Sequence, residues 1–109
     1  MTEATTLTPL QTLAAVAVTS AAALTPAIGE AHPKSVGVRT YVRIRSTVDC
    51  CIAFSDSLTD DPVATDASME LGANQHEYFD VLVGSKISVK RAPSADADGL
   101  LKVTLCAKR

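Results

Sequence analysis

Residues 36–46, which read VGVRTYVRIRS, alternate between apolar and polar side chains. One face of an extended chain would carry the mainly apolar set, Val38, Thr40, Val42 and Ile44. The other face would carry Arg39, Tyr41, Arg43 and Arg45. Successive side chains of a strand point to opposite faces, so this period of two indicates a half-buried β-strand. The segment therefore predicts a strand with one face on a core and its arginines outside.

The rest of residues 37–107 repeats short stretches of this kind between turns. The further predicted strands cover 50–55, 69–71, 75–83, 86–92 and 100–108. The two residues Gly84 and Ser85 are a connection of the hairpin type. Strands at intervals of roughly 8–12 residues are typical of an all-β sandwich or barrel.

The first third of the chain leaves two interpretations open. Residues 8–11, TPLQ, form a capping box with Pro at the first helical position, which favours a helix over 9–24. The β-branched Val16, Val18 and Thr19 favour strands, and the remainder of the chain is predicted to be β. We therefore expect strands in this segment.

Residues 10–28 are apolar enough to suggest a signal peptide or a membrane span. The flank before them, MTEATTLTP, contains no Lys or Arg, so the positive region of a signal peptide is absent. Polar residues and Pro26 interrupt the apolar run, which makes it a poor span. We expect neither export nor a membrane partner. We divide the chain into an N-terminal arm or first strands (1–30) and a β-sandwich domain (31–109).

The composition fits one small domain that gains stability from contacts with other molecules. The chain has 109 residues, enough for a single domain, and only 4% of them are aromatic, so its core must be mainly aliphatic. We expect self-association or a partner to add stability. The net charge of −2 argues against a nucleic-acid partner, which requires a clustered basic surface. Three cysteines, an odd number, fit a reducing compartment.

Two of the cysteines are adjacent in residues 49–57, DCCIAFSDS. A strand points neighbouring residues to opposite faces, so Cys50 and Cys51 cannot bind one metal ion together without distortion. A disulfide from Cys106 across a sheet is a less favoured alternative. We expect Cys50 to pack in the core. Cys51 is then the more exposed thiol, or it lies under a neighbouring subunit.

No arrangement of residues indicates catalysis or a cofactor. A Cys–His nucleophile needs its base within hydrogen-bond reach, and nothing marks His32 or His76 as that base. The nucleophile elbow, the zinc-protease motif and the Gly-rich phosphate loop are missing from the sequence. We expect a protein that is not an enzyme, with no cofactor and no metal.

Acidic residues are concentrated in and just after residues 56–68. They are Asp56, Asp60, Asp61, Asp66 and Glu70, with no Lys or Arg between them. Clustered oxygens can bind calcium, but the regularly spaced calcium loop is absent. A solvated loop, in which Asp and Ser form turns, is the favoured interpretation.

The arginine-bearing face of the predicted strand has two interpretations. Charged side chains on a strand can simply prevent unwanted pairing at an edge. They can equally meet an acidic surface of another protein. The candidate partner-binding residues are Arg39, Tyr41, Arg43, Arg45 and Cys51.

Two segments carry a resemblance to a known class of proteins. They are VRIRSTVDCCIAF (42–54) and MELGANQHEYFDVLVGSKISVKRAPSADADGLLKVTLC (69–106). Over roughly residues 40–105 the chain resembles small structural proteins of tailed bacteriophages. The matching residues include Val42, Arg43, Ile44, Asp49, Cys50, Ile52, Ala53, Phe54, Leu71, Glu77, Tyr78, Phe79, Val81, Gly84, Lys86, Ile87, Val89, Asp98, Gly99, Leu101, Val103 and Thr104.

The resemblance implies a virion component that decorates or cements the capsid. The implied fold is a small β-sandwich, jelly-roll-like, with about seven or eight short antiparallel strands. The implied partners are the major capsid protein and further copies of the chain, as a dimer or trimer at capsid symmetry axes. The implied location is the capsid exterior, after assembly in the host cytoplasm. Residues 1–30 could then lie along a partner and add a strand to its edge. Alternatives are a head-fibre, neck or tail protein, or an exported carbohydrate-binding or surface-binding module.

Overall fold

The computed structural model describes residues 7–28 and 39–108, and these residues form strands, turns and loops without a helix. The strands are β1 (Leu7–Thr12), β2 (Val16–Val18), β3 (Ala23–Leu24), β4 (Arg39–Ser46), β5 (Cys50–Phe54), β6 (Met69–Leu71), β7 (His76–Leu82), β8 (Ile87–Arg91) and β9 (Gly99–Lys108). The all-β fold is therefore confirmed. The expectation of strands in the first third is also confirmed, and the alternative of a helix is wrong for the described part of that segment.

The strands form two antiparallel sheets. One has the order β1-β9-β4-β7, with β2 also paired to β9, and the other has the order β3-β8-β5-β6. Strand β1 pairs with residues 104–108 of β9 and β2 with residues 99–101, so the two act as one interrupted strand along a single edge of β9. Counted in this way, the eight strands pair in a nested order, first with last and fourth with fifth. This is the topology of a jelly roll, and the small β-sandwich is confirmed.

Residues 7–28 contribute to both sheets. Their strands pair with β9 and β8 of the same chain. The expectation that residues 1–30 also add a strand to a partner's sheet edge stays a prediction. Strand β1 lies at the edge of one sheet and β3 at the edge of the other, and each pairs with its own chain on one side. The predicted boundary between residues 30 and 31 falls in residues 29–38, outside the described part of the chain.

The core lies between the inner faces of the two sheets. It is a single cluster of mainly Val, Ile and Leu side chains. Val42 and Ile44 are fully buried, as the alternation along β4 predicts, and Cys50 and Ile52 supply the inner face of β5. At one end the rings of Phe54 and Phe79 join the sheets, with their centroids 4.8 Å apart. Few aromatic residues are needed because branched aliphatic side chains fill most of the interior.

The predicted hairpin at Gly84 and Ser85 is wrong. Strands β7 and β8 lie in different sheets, so these residues carry the chain across the sandwich. Gly84 has a φ of 97°, which a residue with a side chain rarely adopts. Its N–H donates to the carbonyl of Ile28 at 2.7 Å, and the N–H of Ile28 donates to the carbonyl of Ser85 at 2.9 Å. The crossing therefore forms its hydrogen bonds with the N-terminal segment, which a local pattern cannot reveal.

Candidate partner-binding face

The outer face of the sheet β1-β9-β4-β7 carries the predicted arginines. Because Val42 and Ile44 point into the core, the alternate residues of β4 point outward. Arg39 and Arg45 are exposed, and Tyr41 and Arg43 are half-buried. The structure thus places four of the five candidate partner-binding residues on one face.

Two of these arginines line a shallow depression of about 190 Å³. We call it the basic depression, and its lining residues are Thr12, Arg43, Arg45, Lys102 and Thr104. Strand register explains the grouping, since Arg43 is opposite Thr104 and Arg45 is opposite Lys102 on β9. Sequence reasoning missed the two threonines and Lys102. Lys102 and Thr104 alternate with apolar residues in β9, whereas Thr12 follows the polar Gln11 in β1, and only the register shows which strands they adjoin.

Arg39 is already engaged within the chain. Its Nε donates to Asp80 Oδ1 at 2.9 Å, and its Nη1 lies 3.4 Å from Asp56 Oδ1. The hydrogen bond with Asp80 is the main cause that raises the pKa of Arg39 above its usual value. Exposed pairs of this kind stabilise a fold only weakly. They nevertheless partly neutralise the charge of Arg39 and so weaken its attraction for an acidic partner.

The cations of the basic depression are not neutralised in this way. Arg45 Nη2 donates to Asn74 Oδ1 at 3.1 Å, and this acceptor is a neutral amide. Within the described ranges, Arg43 and Lys102 have neither an ion pair nor a side-chain hydrogen bond. Electrostatic attraction for an anionic partner is therefore concentrated at this place on the face.

The fifth candidate, Cys51, lies in the other sheet. It is 0% exposed, so the expectation of a more exposed thiol is wrong. The segment between β5 and β6 folds back over this side of the sheet. There the N–H of Ala64 donates to Ser88 Oγ at 2.8 Å, and Lys90 pairs with Asp66. The thiol is thus covered by the chain's own loop, and the structure does not bring it together with the arginines.

The acidic segment is more ordered than a purely solvated loop. Its aspartates are exposed, as expected, but Ala64 is only 3% exposed and is held against the sheet. Among the residues that the structure describes, no group of three or more His, Cys, Asp or Glu side chains is placed to hold a metal ion.

All three cysteines are free and buried. Burial is the main cause that raises the pKa of Cys50, and the Ser46 hydroxyl partly offsets it. Burial also raises the pKa of Cys51, with a further contribution from the nearby carboxylate of Glu70. Both thiols therefore stay protonated where an exposed thiol would begin to ionise, which makes them poor nucleophiles.

Raising the pH above about 8.5, the usual pKa of a thiol in an unfolded chain, is expected to lower the free energy of unfolding. Above that pH the unfolded chain loses the protons of Cys50 and Cys51 while the folded chain keeps them. The limiting slope is about 1.4 kcal/mol per pH unit for each thiol. Urea unfolding at several pH values measures it. A Cys50→Ala/Cys51→Ala variant should lose this part of the slope, and an unchanged slope would contradict the prediction.

Comparison with known proteins gives no match, whether with family models, with curated proteins or with solved structures. No helix in residues 7–28 or 39–108 is long and apolar enough to cross a membrane. The fold and the basic depression therefore define the chain only as a small jelly-roll sandwich with one positively charged sheet face.

Proposed function

We propose that the protein is a non-enzymatic structural protein of a tailed-bacteriophage virion, which binds the major capsid protein on the head exterior and stabilises the head. The observation that carries this proposal is the basic depression, where Arg43 and Lys102 lack acidic partners within the described chain. A positive patch of this kind suits an acidic protein surface.

The fold supports the proposal by analogy. Jelly rolls occur in viral capsid proteins and also in lectins, so the fold alone does not fix the function. The resemblance of residues 40–105 to phage structural proteins favours the capsid over a carbohydrate. A ligand pocket is not required for this role, because a decorating protein needs only a face that fits a repeated surface.

The proposed arrangement does not require a large contact area for each copy. A single basic depression gives a modest net affinity, since the cost of association offsets most of what one contact gains. Copies that also contact one another as dimers or trimers at capsid symmetry axes would bind many equivalent sites together. Such linked binding exceeds the affinity of each separate contact.

Mass spectrometry of purified virions tests the proposal. We expect the protein at a copy number comparable to that of the major capsid protein, and particles that lack it should release their genome at a lower temperature. A far lower copy number would instead indicate a head-fibre, neck or tail protein. Absence from the virion would refute the proposal and leave the carbohydrate-binding module to be tested on a glycan array.

A further inference from the structure

We propose that the basic depression seats one carboxylate group, carried by an acidic side chain of the partner protein. This inference rests on the proposed function, because it names the chemistry by which the capsid protein would be recognised. It assigns a ligand to Thr12, Arg43, Arg45, Lys102 and Thr104, which line the depression.

Two neighbouring strands of this face place like charges side by side. Arg45 and Lys102 are directly opposite in the register of β4 and β9. Directly opposite residues on one face of antiparallel strands have Cβ atoms about 4.5–5.5 Å apart, and like charges there are destabilising. An anion held between the two would turn this repulsion into attraction.

The neighbouring strand β7 does not supply that anion. On the same face it places Tyr78 opposite Arg43 and His76 opposite Arg45. The next outward residue of β7 is Asp80, which is engaged by Arg39. Strand β7 therefore places no free carboxylate beside the cations of the basic depression.

The depression also offers hydrogen-bond donors to a ligand. The hydroxyl oxygens of Thr12 and Thr104 are 3.3 Å apart, so one hydroxyl can donate to the other. The second hydroxyl then keeps its own proton for a ligand. A guanidinium presents parallel N–H groups that match a planar carboxylate. Arg43, Lys102 and one threonine thus offer donors of three kinds around a single oxyanion.

The size of the depression decides between possible ligands. Its volume of about 190 Å³ is below the roughly 300–1,000 Å³ of sites that enclose small molecules. It can hold the end of a side chain, and a whole free metabolite would remain largely in solvent. A nucleic acid would need a series of phosphate contacts across the face, whereas the positive charge here is confined to one place.

Carbodiimide cross-linking on purified heads tests whether the basic depression binds a carboxylate, a site that we call the carboxylate seat. This reagent joins an amine to a contacting carboxylate without a spacer, and mass spectrometry identifies the two residues. We expect an amide between Lys102 and a glutamate or aspartate of the major capsid protein. The ion pair of Lys90 with Asp66 supplies an internal control, because it should give an adduct within the chain whether or not the heads are present.

The variant Lys102→Arg separates charge from reactivity. It keeps the positive charge but removes the reactive amine, so the Lys102 cross-link should disappear while the Lys90–Asp66 adduct still forms. If the native protein binds heads and the Lys90 adduct forms, but Lys102 gives none with the capsid protein, the carboxylate seat is refuted. The proposed function would survive that result.

A titration of the isolated protein provides a second measurement. Sodium acetate, compared with sodium chloride at equal ionic strength, should cause saturable NMR shifts at Thr12, Arg43 and Thr104. The variant Thr104→Val should weaken them. If the protein does not bind heads, the proposed function is refuted, and saturable acetate shifts would still assign the seat to a carboxylate of another partner. Absence of both head binding and acetate shifts would refute the seat as well.

Discussion

Replacing Arg43 by Glu is expected to weaken binding to capsids by about thirtyfold or more. Loss of one member of a desolvated charge pair at an interface costs about 2–5 kcal/mol, and each 1.4 kcal/mol is a factor of ten in affinity. The new carboxylate would also repel the acidic group that the basic depression receives. Co-sedimentation of the purified protein with heads that lack it measures the dissociation constant.

The matched control for this charge reversal is Lys86→Glu. It makes the same change in net charge, but Lys86 lies on the crossing between β7 and β8 and does not line the depression. We expect its effect to be about threefold or less, since a charge outside the contact acts only through solvent, where salt screens it. Equal losses in the two variants would show that only net charge matters. An unchanged affinity of Arg43→Glu, with the variant still folded by circular dichroism, would remove the depression from the interface.

The inner and outer faces of the central strands could be predicted from the sequence. In β4 and β5 each side chain points to one of the two faces of its sheet. Because neighbouring residues point to opposite faces, the sequence is enough to assign each residue to a face. Burial of Val42, Ile44 and Ile52 confirms this assignment. The same alternation placed the arginines outside, and so two of the five residues that line the basic depression, Arg43 and Arg45, were accessible without a structure.

Neither the pairing of the strands nor the burial of Cys51 could be predicted in this way. Leu7 pairs with Lys108, almost the full length of the chain away, and the position of Lys102 beside Arg45 follows from another long-range pairing. Alternation identifies two faces but does not say what covers the outer one. Cys51 occupies an outward position and is buried because a later loop, fixed through Ala64, folds over it.

The substitution Ile28→Ala is expected to lower the free energy of unfolding by about 2–5 kcal/mol, as is usual for a large buried aliphatic side chain. Ile28 is 0% exposed and belongs to the central cluster, although it comes from the segment that the sequence assigned to an N-terminal arm. Its backbone also bonds to Gly84 and Ser85 at the crossing between the sheets. Urea unfolding of the purified variant measures the loss.

Two further substitutions serve as controls for Ile28→Ala. Ile44→Ala, in the central strand β4, should cost a similar amount, because both side chains are fully buried in one core. Val63→Ala removes an exposed side chain and should change the stability by no more than about 0.5 kcal/mol. If Ile28→Ala behaves like Val63→Ala, residues 7–28 are a dispensable arm. If it behaves like Ile44→Ala, the segment is part of the folding unit.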